Sequence, residues 1–204
     1  MIRTIIFDFG NVVSFFDHGP AIEKLARYPT IIPQTIASIR EILYAGDLED
    51  AYEKGIYSTA EFIEIFRQRS GIIIKDGEFL QIFDDIFRAN EELHQLIPIL
   101  AKRYRLLLAS NTNEAHCQKF RKQFSEILSY FSHQIVSQEI GERKPNWDFY
   151  ASCQEMANAE ISECVFIDDL AKNVEAARAF GWQTILYRDM TDLTSSLADL
   201  GVTW

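Results

Sequence analysis

The chain has 204 residues, 48% hydrophobic and 25% charged, which gives enough apolar mass for one globular domain or a core with a modest insertion. Its formal net charge of −10 argues against nucleic acid or an anionic membrane surface as a partner, and no apolar run approaches the length that spans a bilayer. Small anionic substrates stay open, because one metal ion and one lysine reverse the field inside a pocket.

The first predicted strand covers 4–9 and contains Asp8, too early in the chain for the apolar region of a signal peptide. From Ser14 to Arg88 the pattern is helical, with predicted helices at 20–28, 34–43, 48–54, 59–69 and 76–88 and no strand of comparable strength. Ser58 or Thr59, followed by Glu61 and by apolar Phe62, Ile65 and Phe66, marks a capped amphipathic helix start. Beyond Arg88, strands and helices alternate. Helix 91–103 leads to strand 105–110, helix 113–127 to a weaker strand at 134–137, and helix 146–157 to strand 165–168. Helix 171–180 is stopped by Gly181, and a last strand covers 184–187. The strands are near-continuous apolar runs, as in a parallel sheet covered on both faces.

The expected fold is therefore α/β, a Rossmann-like, doubly wound parallel sheet with a small helical cap inserted after the first strand. The core is expected from 1–14 and 89–204, and the cap from 15–88. Cys117, Cys153 and Cys164 are odd in number and form no CxxC pair, so they read as reduced thiols of a cytoplasmic protein.

In such sheets ligands bind beyond the carboxyl ends of the strands. That edge collects Asp8, Ser110 and Asn111, Lys144, and the adjacent pair Asp168 and Asp169. Singly, most have ordinary explanations. Asp8 can serve a turn, Ser110-Asn111-Thr112-Asn113 can cap the next helix, and Lys144 before Pro145 can be solvated. Two carboxylates directly after an apolar strand exceed what capping needs. They concentrate negative charge that a cation or a proton must compensate, and a hard divalent ion such as Mg2+ does this with oxygen ligands.

Taken in order, these motifs resemble the haloacid dehalogenase superfamily of hydrolases. They are Phe7-Asp8-Phe9-Gly10-Asn11-Val12-Val13, Ser110-Asn111-Thr112-Asn113, Gly141-Glu142-Arg143-Lys144-Pro145, and Phe166-Ile167-Asp168-Asp169 with Asn173. Each is short; their order on these elements makes the resemblance specific, and it covers nearly the whole chain. Within the superfamily the chain looks most like bacterial phosphatases of sugar 1-phosphates. The resemblance implies Asp8 as the nucleophile that forms an aspartyl-phosphate. It implies Mg2+ held by Asp8, the Gly10 carbonyl and Asp168 or Asp169. Ser110 would bond the phosphoryl oxygens, Lys144 would neutralise charge, and Asn111 and Asn173 would support them, Asn111 at the substrate. The implied partner is a small phosphorylated metabolite.

One position departs from the family pattern. Most of its phosphatases carry a second aspartate two residues after the nucleophile, which protonates the leaving group; here that residue is Gly10. Three accounts are open. Asp17 or His18, at the expected cap hinge, can act in its place, although either can be an ordinary hinge residue. A sugar anomeric oxygen is a good leaving group and needs little help. Alternatively the reaction is 2-haloacid dehalogenation, which needs neither that acid nor a metal, although it leaves the acidic pair without a use. A weakly catalytic relative that binds a phosphorylated ligand or a protein is a further alternative. Cap residues Arg40, Tyr44, Glu49, Tyr52 and Glu53 can read substrate hydroxyls or lie on a solvated face.

Overall fold

The computed structural model describes all 204 residues. β1 (Thr4–Phe7) is buried along its whole length, as a strand covered on both faces must be. The chain turns through Asn11, whose φ of 56° is left-handed and suits asparagine, and forms β2 (Ser14–Phe16). Five helices follow: α1 (Gly19–Ala26), α2 (Ile36–Tyr44), α3 (Asp47–Glu53), α4 (Thr59–Ser70) and α5 (Asp76–Phe83). β3 (Phe87–Ala89) then pairs antiparallel with β2. This two-stranded ribbon corrects the expectation of helix throughout 14–88. Its strands are three residues each, too short to carry an alternating pattern.

The remainder alternates. α6 (Glu91–Leu100), β4 (Arg105–Ser110), α7 (Glu114–Gln123), α8 (Ser125–Leu128), β5 (His133–Val136) and α9 (Ser137–Ile140) come first. α10 (Trp147–Ala157), β6 (Cys164–Asp168), α11 (Ala171–Phe180), β7 (Gln183–Leu186) and α12 (Met190–Asp199) complete the chain. α12 has no counterpart in the sequence reading. Ser58 caps α4 in a reciprocal box with Glu61, and Gly181 ends α11 at φ 116°, as expected.

The parallel sheet has the order β5-β4-β1-β6-β7. The chain moves outward from β1 through β4 to β5, then crosses back to β6 on the other side. The strand order therefore reverses beside β1, where such sheets leave a crevice at their carboxyl ends. Phe7 pairs in register with Leu108 on one side and Ile167 on the other. The next residues, Asp8, Ala109 and Asp168, are thereby brought to one level.

Two apolar layers cover the sheet, one built with α6, α7 and α12 and the other with α10 and α11. A third cluster lies within α1–α5 and their connections and reaches the rest of the chain at Ala115. Polar contacts join these helices to the sheet-bearing part. Thr59 donates through N and Oγ1 to Glu114 at 3.0 and 2.5 Å, and Ala115 N donates to Tyr52 Oη at 3.2 Å. Gly55, at φ 67°, presses against the Gln138 carbonyl; a Cβ there would lie 2.3 Å from that oxygen. Gly55→Ala should therefore lose about 1–3 kcal/mol, from the left-handed backbone and the clash together. Urea denaturation checks this, and an unchanged midpoint would show that the turn tolerates a side chain.

Candidate active site

Asp8 follows β1 at the reversal of strand order, and its backbone N–H donates to Ile167 O at 2.8 Å. Its Oδ1 accepts from Phe9 N at 2.7 Å and from Lys144 Nζ at 2.8 Å, which leaves Oδ2 without a donor. Lys144 is buried and spends its three N–H bonds on Asp8 Oδ1, Asp168 Oδ2 at 2.7 Å and Ala109 O at 2.8 Å. Asn111 holds the backbone of that lysine, donating to Lys144 O at 3.0 Å and accepting from Lys144 N at 2.8 Å.

Asp168 is wholly buried at the end of β6. Its Oδ1 accepts from Leu170 N at 2.8 Å, and Asn173 Nδ2 lies 3.0 Å from both of its oxygens. Asp169 turns to the cavity, where Asn11 Nδ2 donates to it at 3.1 Å. Ser110, at the end of β4, also lines the cavity and donates to Asn111 O at 3.3 Å.

Charge is unbalanced here. One ammonium faces three carboxylates, and their oxygens lie within 4.8 Å of one another. Burial pushes the Asp8 carboxyl up to about 7; Lys144 opposes the rise, and Asp168 and Asp169 add to it. Burial likewise raises Asp169. Burial works against the charge of Lys144, yet Asp168 and Asp8 outweigh it and hold its pKa above the ordinary lysine value. The buried Asn173 Oδ1 has no partner. Clustered oxygen donors with surplus negative charge are what a hard divalent cation such as Mg2+ takes, so the residues fit one.

The cavity above these groups measures about 310 Å³ and runs up to helices α2 and α3. His18, Tyr44, Glu49 and Glu53 contribute from the side of α1–α5, and His116, Arg143 and Lys172 from the side of the parallel sheet. Glu53 Oε2 lies 2.8 Å from Arg143 Nη2, and Asp50 Oδ1 lies 3.3 Å from Arg143 Nη1. Burial lowers His18 to about 4 and His116 to about 3, so both are neutral rings; His18 Nδ1 and Tyr44 Oη are buried without partners.

Of the residues selected from the sequence, Asp8, Gly10, Ser110, Asn111, Lys144, Asp169 and Asn173 line this cavity together with His18, Tyr44, Glu49 and Glu53, and Asp168 lies directly beneath it. Asp17 does not join them. It is exposed, and its Oδ1 accepts from Gly19 N at 2.8 Å in a local turn. Arg40 is exposed, and Tyr52 is buried in the cap cluster. Phe16, expected with Phe15 to pack at the hinge, also lines the cavity, whereas His116, Arg143 and Lys172 had not been singled out. Arg143 and Lys172 flank Lys144 and Asn173 in sequence, which is the signal that was available for them. Gly10 has a structural counterpart: a Cβ at this position would lie 2.7 Å from the Phe16 ring, which fills the space beside the glycine.

A parallel α/β sheet whose carboxyl edge carries an aspartate, a buried lysine and an acidic pair defines a hydrolase scaffold built around carboxylates. The chain matches the haloacid dehalogenase-like hydrolase family over residues 2–181 and belongs to it. It is 26% identical over 192 residues to D-ribitol-5-phosphate phosphatase of Bacteroides thetaiotaomicron, covering 90% of this chain and 91% of that protein. Its fold is shared by a HAD-like family hydrolase of Porphyromonas gingivalis, with TM-score 0.82 and 24% identity over the whole of both chains. A HAD family enzyme of B. thetaiotaomicron, solved with magnesium and inorganic phosphate, has TM-score 0.81 and 23% identity over 95% of this chain and 99% of that one.

Two outcomes test the site's electrostatics. Lys144→Met should cost about 3–5 kcal/mol, since it leaves buried carboxylates without their cation, and a loss under about 1 kcal/mol in urea denaturation would contradict that role. Millimolar Mg2+ should raise the Tm of the wild-type protein by several degrees, as any ligand selective for the folded state does. Asp169→Asn should remove most of the rise; an equal rise in both proteins would place the ion elsewhere.

Proposed function

We propose that this chain is a Mg2+-dependent phosphatase of small phosphorylated metabolites, sugar and polyol phosphates foremost. The observation that carries the reading is the Asp8–Lys144–Asp168 network with Asp169 beside it on the cavity floor. Asp8 is the nucleophile: Lys144 holds it through Oδ1, and Oδ2 is free to attack phosphorus and form an aspartyl-phosphate. Asp8, Asp169 and the Gly10 carbonyl, with Asp168 beneath, would hold Mg2+, which when bound would supply the positive charge that lets one anion approach another. Asp168 is the supporting member of the pair, because Lys144, Asn173 and Leu170 already occupy its oxygens. Ser110 Oγ orients the phosphoryl oxygens, and Lys144, its N–H bonds already spent on Asp8, Asp168 and Ala109, offsets their charge from below, while Asn111 keeps Lys144 in place.

Helices α1–α5 act as the cap, with core 1–14 and 89–204 and cap 15–88. Their separate apolar cluster supports this division, and the two chain crossings pair as β2 and β3. The cap encloses a space suited to a small molecule, and the polyol phosphate named for the bacterial relative supports that substrate class. Within the class a sugar 1-phosphate is favoured, because its anomeric oxygen departs with the least protonation and the first loop supplies no acid at Gly10. The acidic pair and its lysine support phosphoryl transfer over dehalogenation, which has no use for a cation-binding cluster. Three free, buried cysteines are in keeping with a cytoplasmic setting.

Asp8→Asn should abolish phosphate release while the far-UV and near-UV circular dichroism stay native; substantial remaining turnover would refute the nucleophile. Wild-type enzyme should release phosphate from p-nitrophenyl phosphate, glucose 1-phosphate and ribitol 5-phosphate only when Mg2+ is present. Release that survives a chelator would refute the metal requirement.

A further inference from the structure

Transfer of the phosphoryl group to Asp8 is an in-line displacement, so the attacking and leaving oxygens lie on opposite sides of phosphorus. Asp8 stands on the floor of the cavity, at the end of β1. The leaving oxygen must therefore face the opposite wall, which the cap builds, and its proton must come from there. The first loop offers no acid to supply it, since Gly10 has no side chain, Phe16 fills the adjoining space, and Asp17 is turned to Gly19.

Four carboxylates line the cavity: Asp8, Asp169, Glu49 and Glu53. Asp8 is the nucleophile, Asp169 belongs to the cation cluster, and Glu53 is paired with Arg143. Glu49, on α3 of the cap, remains. It is half-buried, and the charges around it act at a distance without hydrogen-bonding it, Arg143 being taken by Glu53 and Asp50. Resting on the phosphatase reading above, we propose that Glu49 is the general acid that protonates the leaving alkoxide, in place of the aspartate absent at position 10.

The surroundings of Glu49 suit that task. Burial, and then the charge of Glu53, push its carboxyl up to about 7; Arg143 and Lys172 from the core oppose this, and Asp50 adds to it. Tyr44 of α2 also faces it and stays un-ionised, since burial first and then Glu49 itself raise the phenol. Near neutrality Glu49 thus holds a proton it can give. In the first half-reaction the Asp8 oxygen–phosphorus bond forms and the ester P–O bond breaks. The Glu49 proton passes to the departing oxygen, which leaves the free alcohol, the aspartyl-phosphate and a Glu49 carboxylate. In the second half that carboxylate takes a proton from the water that attacks phosphorus. Inorganic phosphate departs, and Asp8 and protonated Glu49 are restored.

Steady-state kinetics of wild type and Glu49→Gln, with Mg2+, on p-nitrophenyl phosphate, glucose 1-phosphate and glucose 6-phosphate test the assignment. The loss should grow with leaving-group basicity. It should be small for p-nitrophenyl phosphate, intermediate for the 1-phosphate, and on the order of 10²–10⁴-fold in kcat for the 6-phosphate. Wild-type kcat on the 6-phosphate should fall as pH rises through about 7, where Glu49 gives up its proton, and the variant should lack that fall. Retained p-nitrophenyl phosphate turnover also shows that the variant is folded. An equal loss on all three substrates, or a loss confined to KM, would overturn the proposal and leave Glu49 as a structural or hydroxyl-reading group. Absence of release from every phosphate ester by the wild-type enzyme would instead remove the phosphatase reading itself.

Discussion

One buried ammonium must serve the carboxylates of Asp8 and Asp168 together, and the architecture around the site is arranged to make that possible. Lys144 reaches them from a loop that lies far away in sequence, so its position depends on Asn111, whose amide grips the lysine's own peptide on both sides. The carboxylates meet because the parallel register sets β1 and β6 side by side with Phe7 opposite Ile167. Burial in an apolar sheet makes this charge expensive, and the same burial strengthens every interaction it makes with an incoming cation or phosphate. The surplus negative charge marks the site's purpose, because a structural ion pair of this quality would be balanced.

Helices α3 and α4 are tied to the sheet-bearing part through neighbours of the same residues. Arg143, beside Lys144, holds Glu53 and Asp50 of α3, while Thr59 and Tyr52 meet the first turn of α7, the helix that follows Ser110 and Asn111. Helix α3 and the start of α4 are thus anchored beside the loops that carry Lys144 and Ser110. Positioning across the cavity is a property of this joint rather than of either part.

Much of the sheet edge was legible in the amino-acid order. Fully buried strands read as unbroken apolar runs, and polar residues at their ends have few structural uses, so Asp8, Ser110 and Asp168 stood out. Lys144 was found by company rather than by pattern. The ribbon of β2 and β3 escaped notice because three residues carry no period. The cap's contribution was harder still. Tyr44, Glu49 and Glu53 lie on helices with equally polar outer faces, and only the packing of α2 and α3 over the core distinguishes inward from outward. Asp17 illustrates the limit: it sits at the right distance along the chain, but a bond to Gly19 N turns its carboxylate away, and such local turns outrank proximity.

The close approach of Gly10 and Phe16 also constrains how this loop can change over generations. A ring that fills the space beside a glycine makes the two positions interdependent: a side chain at 10 meets the ring, and a smaller residue at 16 leaves a void at the edge of the cavity. Each single step is disfavoured where the paired change is not. A side chain at 10 therefore calls for a compensating change at 16, so the pair moves together or not at all.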